Sequence, residues 1–593
     1  MQIGFQLKQI LIFGAMLLIT GCATTVETTL NKEWEKPRVF NSDEDKLLTQ
    51  MQMTDEGDAV TLISPSGVQT INENGEIALE MDRDSFFSVH VETSRGVERL
   101  TDKVSYIYLP HRHALLEFNY ATFAESVTMI DLNENSVQWV TKDLKWSLER
   151  YQTFARALTK GLGLGGQLTA DAASGIMAPK RFVENLTKVI PELDAFVFKT
   201  LDGLALIALE DGSIIWNNED FKGGLAELIY EPDSNSLVAV NRDDDAFSIE
   251  GLQFNKQIMR LDAETGATIW SGTYDGNIRE KLDGFGIWGD RKTDIRLADG
   301  KIMINFLNVE VYDFESGEQL WQTTTGNDKL LDLVAPEAQI MNLFAFPVIH
   351  ENILYRVNHE NVGLTGVDVV VQAFDYETGN LKWKTDKLSR SKAVNDMLVV
   401  NDNLIVSLDR EDKVLAFDRV TGEKAWEKSG FGKNGILFEM MELDGIILAA
   451  GSDKIQILNA DNGDEIISVN SADNGLGNMT DFTILNEQIM VAGENGFGSF
   501  DPDDGSLISS IELPTGGLIQ VSEDENRILI SPKPAYSDAS YSVDGAFHLI
   551  NSSNAELLGT LGTDKDRRNW KISPDYKNIY ELKDEVIIMY SAD

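Results

Sequence analysis

The chain has 593 residues, 51 of them basic and 96 acidic, for a net charge of −45. So negative a surface repels phosphate backbones and sets nucleic acid aside as a partner. Cys22 is the one cysteine, which excludes an internal disulfide and a thiolate metal site.

In chain order, the first element is an export signal. Lys8 and the free amine give a weakly positive start, and Ile10 to Ile19 is an unbroken apolar run, too short to span a bilayer comfortably. It ends in Leu18, Ile19, Thr20, Gly21 and Cys22. This ending resembles the lipobox of bacterial lipoproteins. The resemblance implies cleavage before Cys22, a diacylglycerol thioether on its sulfur, palmitate-type acylation and firm anchoring by several chains. Ala23, with no Asp in its place, implies an outer-membrane destination facing the periplasm, with surface exposure as the alternative. Residues 22–58 are polar and read as a flexible tether whose spacing allows a short helix around Leu30 to Trp34.

From residue 59 the pattern is β-rich. Ala59 to Ile63, Phe86 to Val91 and Val104 to Leu109 read as strands that complete a larger body. Residues 145–194 break the pattern. Trp146, Tyr151, Phe154 and Leu158, then Phe182, Leu186, Val189, Ile190 and Leu193, fall at helical spacing and predict a helical insertion, bent at Gly161 to Gly166. Such an insertion serves a partner or merely caps the ring.

A turn then recurs. Four strict copies place an Asp, a Gly four residues on and a Trp four further: Asp262, Gly266, Trp270; Asp313, Gly317, Trp321; Asp375, Gly379, Trp383; Asp418, Gly422, Trp426. Looser copies begin at Asp131, Ala208, Asn459, Asp501 and Asn551. The Asp side chain can accept turn amides, Gly takes a positive φ, and the aromatic lands on a buried face of the next strand. From Asp262 the starts advance by 51, 62, 43, 41 and 42 residues, one four-stranded blade each. The fold class expected is all-β, a single β-propeller over residues 59–593.

These turns resemble the PQQ-like propeller repeat, in which a blade-ending Trp docks on its neighbour. The resemblance implies eight blades. Signal, tether and propeller together resemble the BamB-type family of outer-membrane β-barrel assembly factors. That implies a non-enzymatic, lipid-anchored scaffold of the cell envelope with a protein partner there. Many quinoprotein dehydrogenases of the same repeat carry an adjacent cysteine pair over their cofactor, a pair that one cysteine cannot form. No cofactor, metal or catalytic residue is therefore expected. The alternatives are an unusual quinoprotein-like oxidoreductase, or a surface ligand- or carbohydrate-binding lipoprotein using aromatics such as Trp288 or Tyr274.

Other motifs carry little. Gly161 to Gly166 formally matches a dinucleotide glycine pattern, without the strand before it that such a site needs. His111 and His113 alternate as a strand-end pair would, and His350 and His359 are isolated. Asp501, Asp503 and Asp504 lack calcium-loop spacing, and Arg242 to Asp245 reads as a solvated loop.

Overall fold

The computed structural model describes most of residues 28–591; the segments left out are chiefly 43–48, 83–89, 145–186, 243–255, 324–346, 532–545 and 563–569. Among the described residues the chain forms eleven sheets of four strands, one of which gains a short fifth, and two two-stranded ribbons. The sheets are the blades of one propeller and are numbered here in chain order. Blades 1–10 are antiparallel meanders over residues 50–82, 104–141, 187–218, 224–272, 295–323, 348–384, 394–429, 436–470, 479–512 and 518–562. Blade 11 takes three strands from residues 570–591 and its outermost strand, Asn31–Pro37, from the other end of the sequence.

The ring is closed by burial. Each consecutive pair of blades shares one apolar cluster. Between blades 2 and 3, Phe118 stacks on Phe198 with centroids 5.7 Å apart. Between blades 10 and 11, Leu30, Leu529 and Leu549 meet Ile579 and Ile588. The last blade packs on the first: Tyr580, Ile587 and Met589 lie against Met51, Val60, Leu62 and Ile71. Second and third strands are buried almost throughout, whereas outermost strands alternate, as in Ile214–Asn218 with only Trp216 and Asn218 buried. This wedge-on-wedge burial covers the sheet faces and leaves the innermost and outermost strands of each blade as its edges.

The blade number corrects the eight expected. All nine candidate turns from Asp131 to Asn551 close a blade. Two more blades escaped the pattern. Blade 1 turns at Asn72 to Gly75 and ends in Leu79 rather than Trp. Blade 11 has no such turn, because its fourth strand is not the next stretch of chain.

The N-terminal reading is revised too. Asn31–Pro37 is a strand, so no helix forms around Leu30 to Trp34, and the propeller begins well before residue 59. In the expected helical insertion, Val189 and Ile190 lie in the strand Thr187–Ile190, and Leu193 in the 3-10 turn Pro191–Leu193. The positions from Trp146 to Leu186, the glycines at 161–166, Trp288 and Asp243 to Asp245 lie outside the described residues.

Candidate functional site

The repeat residues sit at the joints between blades. In Asp262 one carboxylate oxygen accepts the Thr265 N–H and hydroxyl, both at 2.7 Å, while the Gly266 N–H donates to the Asp262 carbonyl at 2.8 Å. Asp313 with Ser316, Asp375 with Thr378 and Asp418 with Thr421 repeat the arrangement. These hydrogen bonds hold all four carboxyls below the usual Asp range.

Each Trp reaches forward to the next blade's turn. The indole N–H of Trp270 donates to the Phe314 carbonyl at 2.9 Å, and its ring lies on Gly317. Gly317 has φ +71°, and a Cβ there would stand 2.3 Å from Trp270 Cδ2. The glycine is thus required twice, for its backbone angle and for the ring above it. Trp139, Trp216, Trp321, Trp383 and Trp426 dock in the same way on Gly212, Gly266, Gly379, Gly422 and Gly463, with carbonyl bonds of 2.8–3.1 Å. Ile467 covers Gly505 where the Trp is lost. One member was missed: Trp34, on the strand that completes blade 11, donates to the Glu73 carbonyl at 2.8 Å and covers Gly75 of blade 1. The missing signal was its position, ahead of every turn.

Buried polar groups are likewise built into joints. Glu310 in blade 5 accepts the Asp275 N–H at 3.0 and 3.1 Å, the Tyr312 hydroxyl at 2.7 Å and Gln319 Nε2 at 3.1 Å. Burial and this carboxylate push the Tyr312 phenol far up, so it stays a donor. Tyr274 is not a platform lining a cleft: it is 2% exposed, packs between blades 4 and 5 and donates to the Asn241 carbonyl at 2.6 Å. His111 lies in the 3-10 turn Pro110–Arg112, and His113 caps it with φ 48°, so the pair does not share a strand face. Among the described residues no group of three His, Cys, Asp or Glu side chains could hold a metal.

What distinguishes the two ends of the ring is their connections. Because strands alternate in direction, the turns after each blade's first and third strands lie at one end, and all other connections lie at the opposite end. At the turn end every connection is a few residues long. Left-handed residues such as His113, Asp194, Asn235, Asn401 and Gly266 close these turns. The opposite end carries the long connections, mostly over blades 1–6. One is the ribbon His90–Thr93 with Gly96–Arg99 between blades 1 and 2. Another is Glu280–Asp283 with Asp290–Thr293 between blades 4 and 5. In blade 6 the hairpin strands Ile353–Gly363 and Gly366–Asp375 run eleven and ten residues, against six and six in blade 7. Long connections gathered at one end suit recognition on a rigid base.

A family model described as outer membrane protein assembly factor BamB matches residues 191–428 and again 307–557, together more than half of the chain. The outer membrane protein assembly factor BamB of Kangiella koreensis is 23% identical over 135 residues. That match spans 22% of this chain and 31% of that protein, less than a third of its length. Among solved structures, BamB from Moraxella catarrhalis is 15% identical, with 65% of this chain and 98% of that one covered at a TM-score of 0.30. Quinohemoprotein alcohol dehydrogenase from Comamonas testosteroni is 11% identical, with 60% and 73% covered at a TM-score of 0.32. On the family model's match, the chain belongs to the PQQ-repeat propeller family described as outer membrane protein assembly factor BamB.

Proposed function

We propose that this protein is a non-enzymatic scaffold of the cell envelope, anchored in the outer membrane through lipid on Cys22 and facing the periplasm, where it assists outer-membrane protein assembly. The observation that carries the reading is the one-ended distribution of long connections on a ring whose neighbouring blades share apolar clusters. The repeat's polar groups serve its own structure: the turn carboxylates bind their own turns, the indoles bind neighbouring blades and Glu310 accepts the Asp275 N–H beside blade 5. A rigid body with an elaborated end suits protein recognition, and membership of the BamB-described family gives that recognition its setting.

The test is affinity purification of the full chain from detergent-solubilised outer membranes. Co-purification of β-barrel assembly components supports the proposal. Their absence from a correctly localised, folded protein contradicts it. Acylation is tested separately by the mass of the N-terminal peptide and by palmitate labelling, which Cys22→Ala abolishes.

A further inference from the structure

The first described residues of the chain enter the ring beside blade 10, at the end that bears the long connections. Before entering blade 11, residues 28–30 run along the outermost strand of blade 10, Leu557–Gly562. The Thr29 N–H donates to the Thr560 carbonyl at 2.7 Å, and the Gly562 N–H donates to the Thr28 hydroxyl at 3.1 Å. Leu30 covers Gly559, filling the place that Trp holds at other joints; a Cβ on Gly559 would stand 2.2 Å from Leu30 Cδ2. Gly562 is the last residue of its strand, at the end of the ring that bears the long connections, and the chain runs from there toward the turn end. Cys22 precedes Thr28 by six residues, a fully extended span of at most about 22 Å. A lipid on Cys22 would therefore lie within that span of Thr28.

Charge points the same way. Almost every turn at the turn end carries an acid, such as Asp55, Glu56, Asp233, Glu264, Asp504 and Glu523. Three cations, Arg112, Arg419 and Lys577, stand among these turns, and each is ion-paired, with Asp194, Glu351 and Asp575. An anionic bilayer surface repels such an end within a Debye length.

We infer that the propeller is held at the connection-end rim of blades 10 and 11 next to the lipid surface, with the acidic turn end directed away from it. The inference rests on the proposed acylation of Cys22. It places the elaborated end of the ring, and any protein bound there, on the membrane side.

The acylated full chain is tested in vesicles of phosphatidylethanolamine and phosphatidylglycerol. A thioether-linked Cys22 does not react with maleimide, so one introduced cysteine labels cleanly. Pro37→Cys marks the connection end of blade 11 and Asn554→Cys the turn end of blade 10, roughly 20 Å apart along a strand of six residues. Energy transfer to a headgroup-labelled lipid is expected to be roughly twofold or more greater from Pro37→Cys. A flexible insertion between Cys22 and Thr28 should narrow the difference, and high salt should narrow it further. Equal transfer, or greater transfer from Asn554→Cys, in vesicle-bound protein would overturn the orientation alone. A chain without acyl mass on Cys22 that fails to float with the vesicles would overturn the anchoring and the orientation with it.

Discussion

The indole of Trp34 lies on Gly75 and donates to the Glu73 carbonyl at 2.8 Å, the same contact that Trp270 makes with Gly317 and Phe314. Residues near the start of the sequence thus close the ring with the joint used between its interior blades. The difference is covalent. Trp270 belongs to a blade that is continuous in sequence, whereas Trp34 sits on a strand donated from elsewhere. Trp34→Ala should therefore free the N-terminal strand selectively. Limited proteolysis is expected to cut this variant before residue 38, while Trp270→Ala loses stability without that cleavage.

The glycines separate two costs. Gly317 and Gly300 have nearly the same φ, +71° and +69°, but a Cβ on Gly300 meets nothing within 4 Å. Gly300→Ala should cost only the backbone penalty, about 1–2 kcal/mol. Gly317→Ala adds overpacking against Trp270, about 1–3 kcal/mol more. Denaturant unfolding of both variants checks this, and Gly317→Ala made in the Trp270→Ala background should cost only the backbone part.

Glu310 gives a sharper test of a buried joint. Glu310→Gln replaces an acceptor oxygen with a donor facing the Asp275 N–H and the Tyr312 hydroxyl. The loss of hydrogen bonds to a charged group is expected to be about 1.5–3 kcal/mol, and Tyr312→Phe should cost about 1 kcal/mol. Thermal unfolding of the two single variants and the double variant measures the coupling.

The turn carboxylates set a direction with pH. Asp262, Asp313, Asp375 and Asp418 have folded values below the unfolded one. Each contributes stability that is fully present above the unfolded value, about 3.9, and is lost as pH falls through the folded value. Melting temperature should hold steady near neutral pH and fall in acid below about 4. Asp262→Asn and Thr265→Ala should each make that fall shallower. An unchanged slope would contradict the role of these hydrogen bonds.

The sequence carried the joint better than the ring. Asp262, Gly266 and Trp270 are legible because a positive φ, a carboxylate over turn amides and a docked indole leave few other residue types that fit. Blade 1 was hidden because Leu79 stands where six of the other blades have Trp, and its turn is one residue shorter, with Gly75 three residues after Asn72 rather than four. Blade 11 was hidden because its pairing of Asn31–Pro37 with Val586–Ser591 spans nearly the whole chain, and no local pattern encodes it. Eight blades came from the habit of similar repeats, not from counting turns. Helical spacing at Val189 and Ile190 failed because so short a β-branched stretch satisfies either period; cross-strand pairing with Ala195–Lys199 decides it. The connection-end asymmetry could be read only once strand directions were known.

The most direct test of the closed ring is electron cryomicroscopy of the full chain viewed down the propeller axis. The account predicts eleven wedges around a continuous ring, with density for Asn31–Pro37 on the outer edge of the last. Eight wedges, or a gap between the blades that contain Tyr580 and Val60, would contradict it.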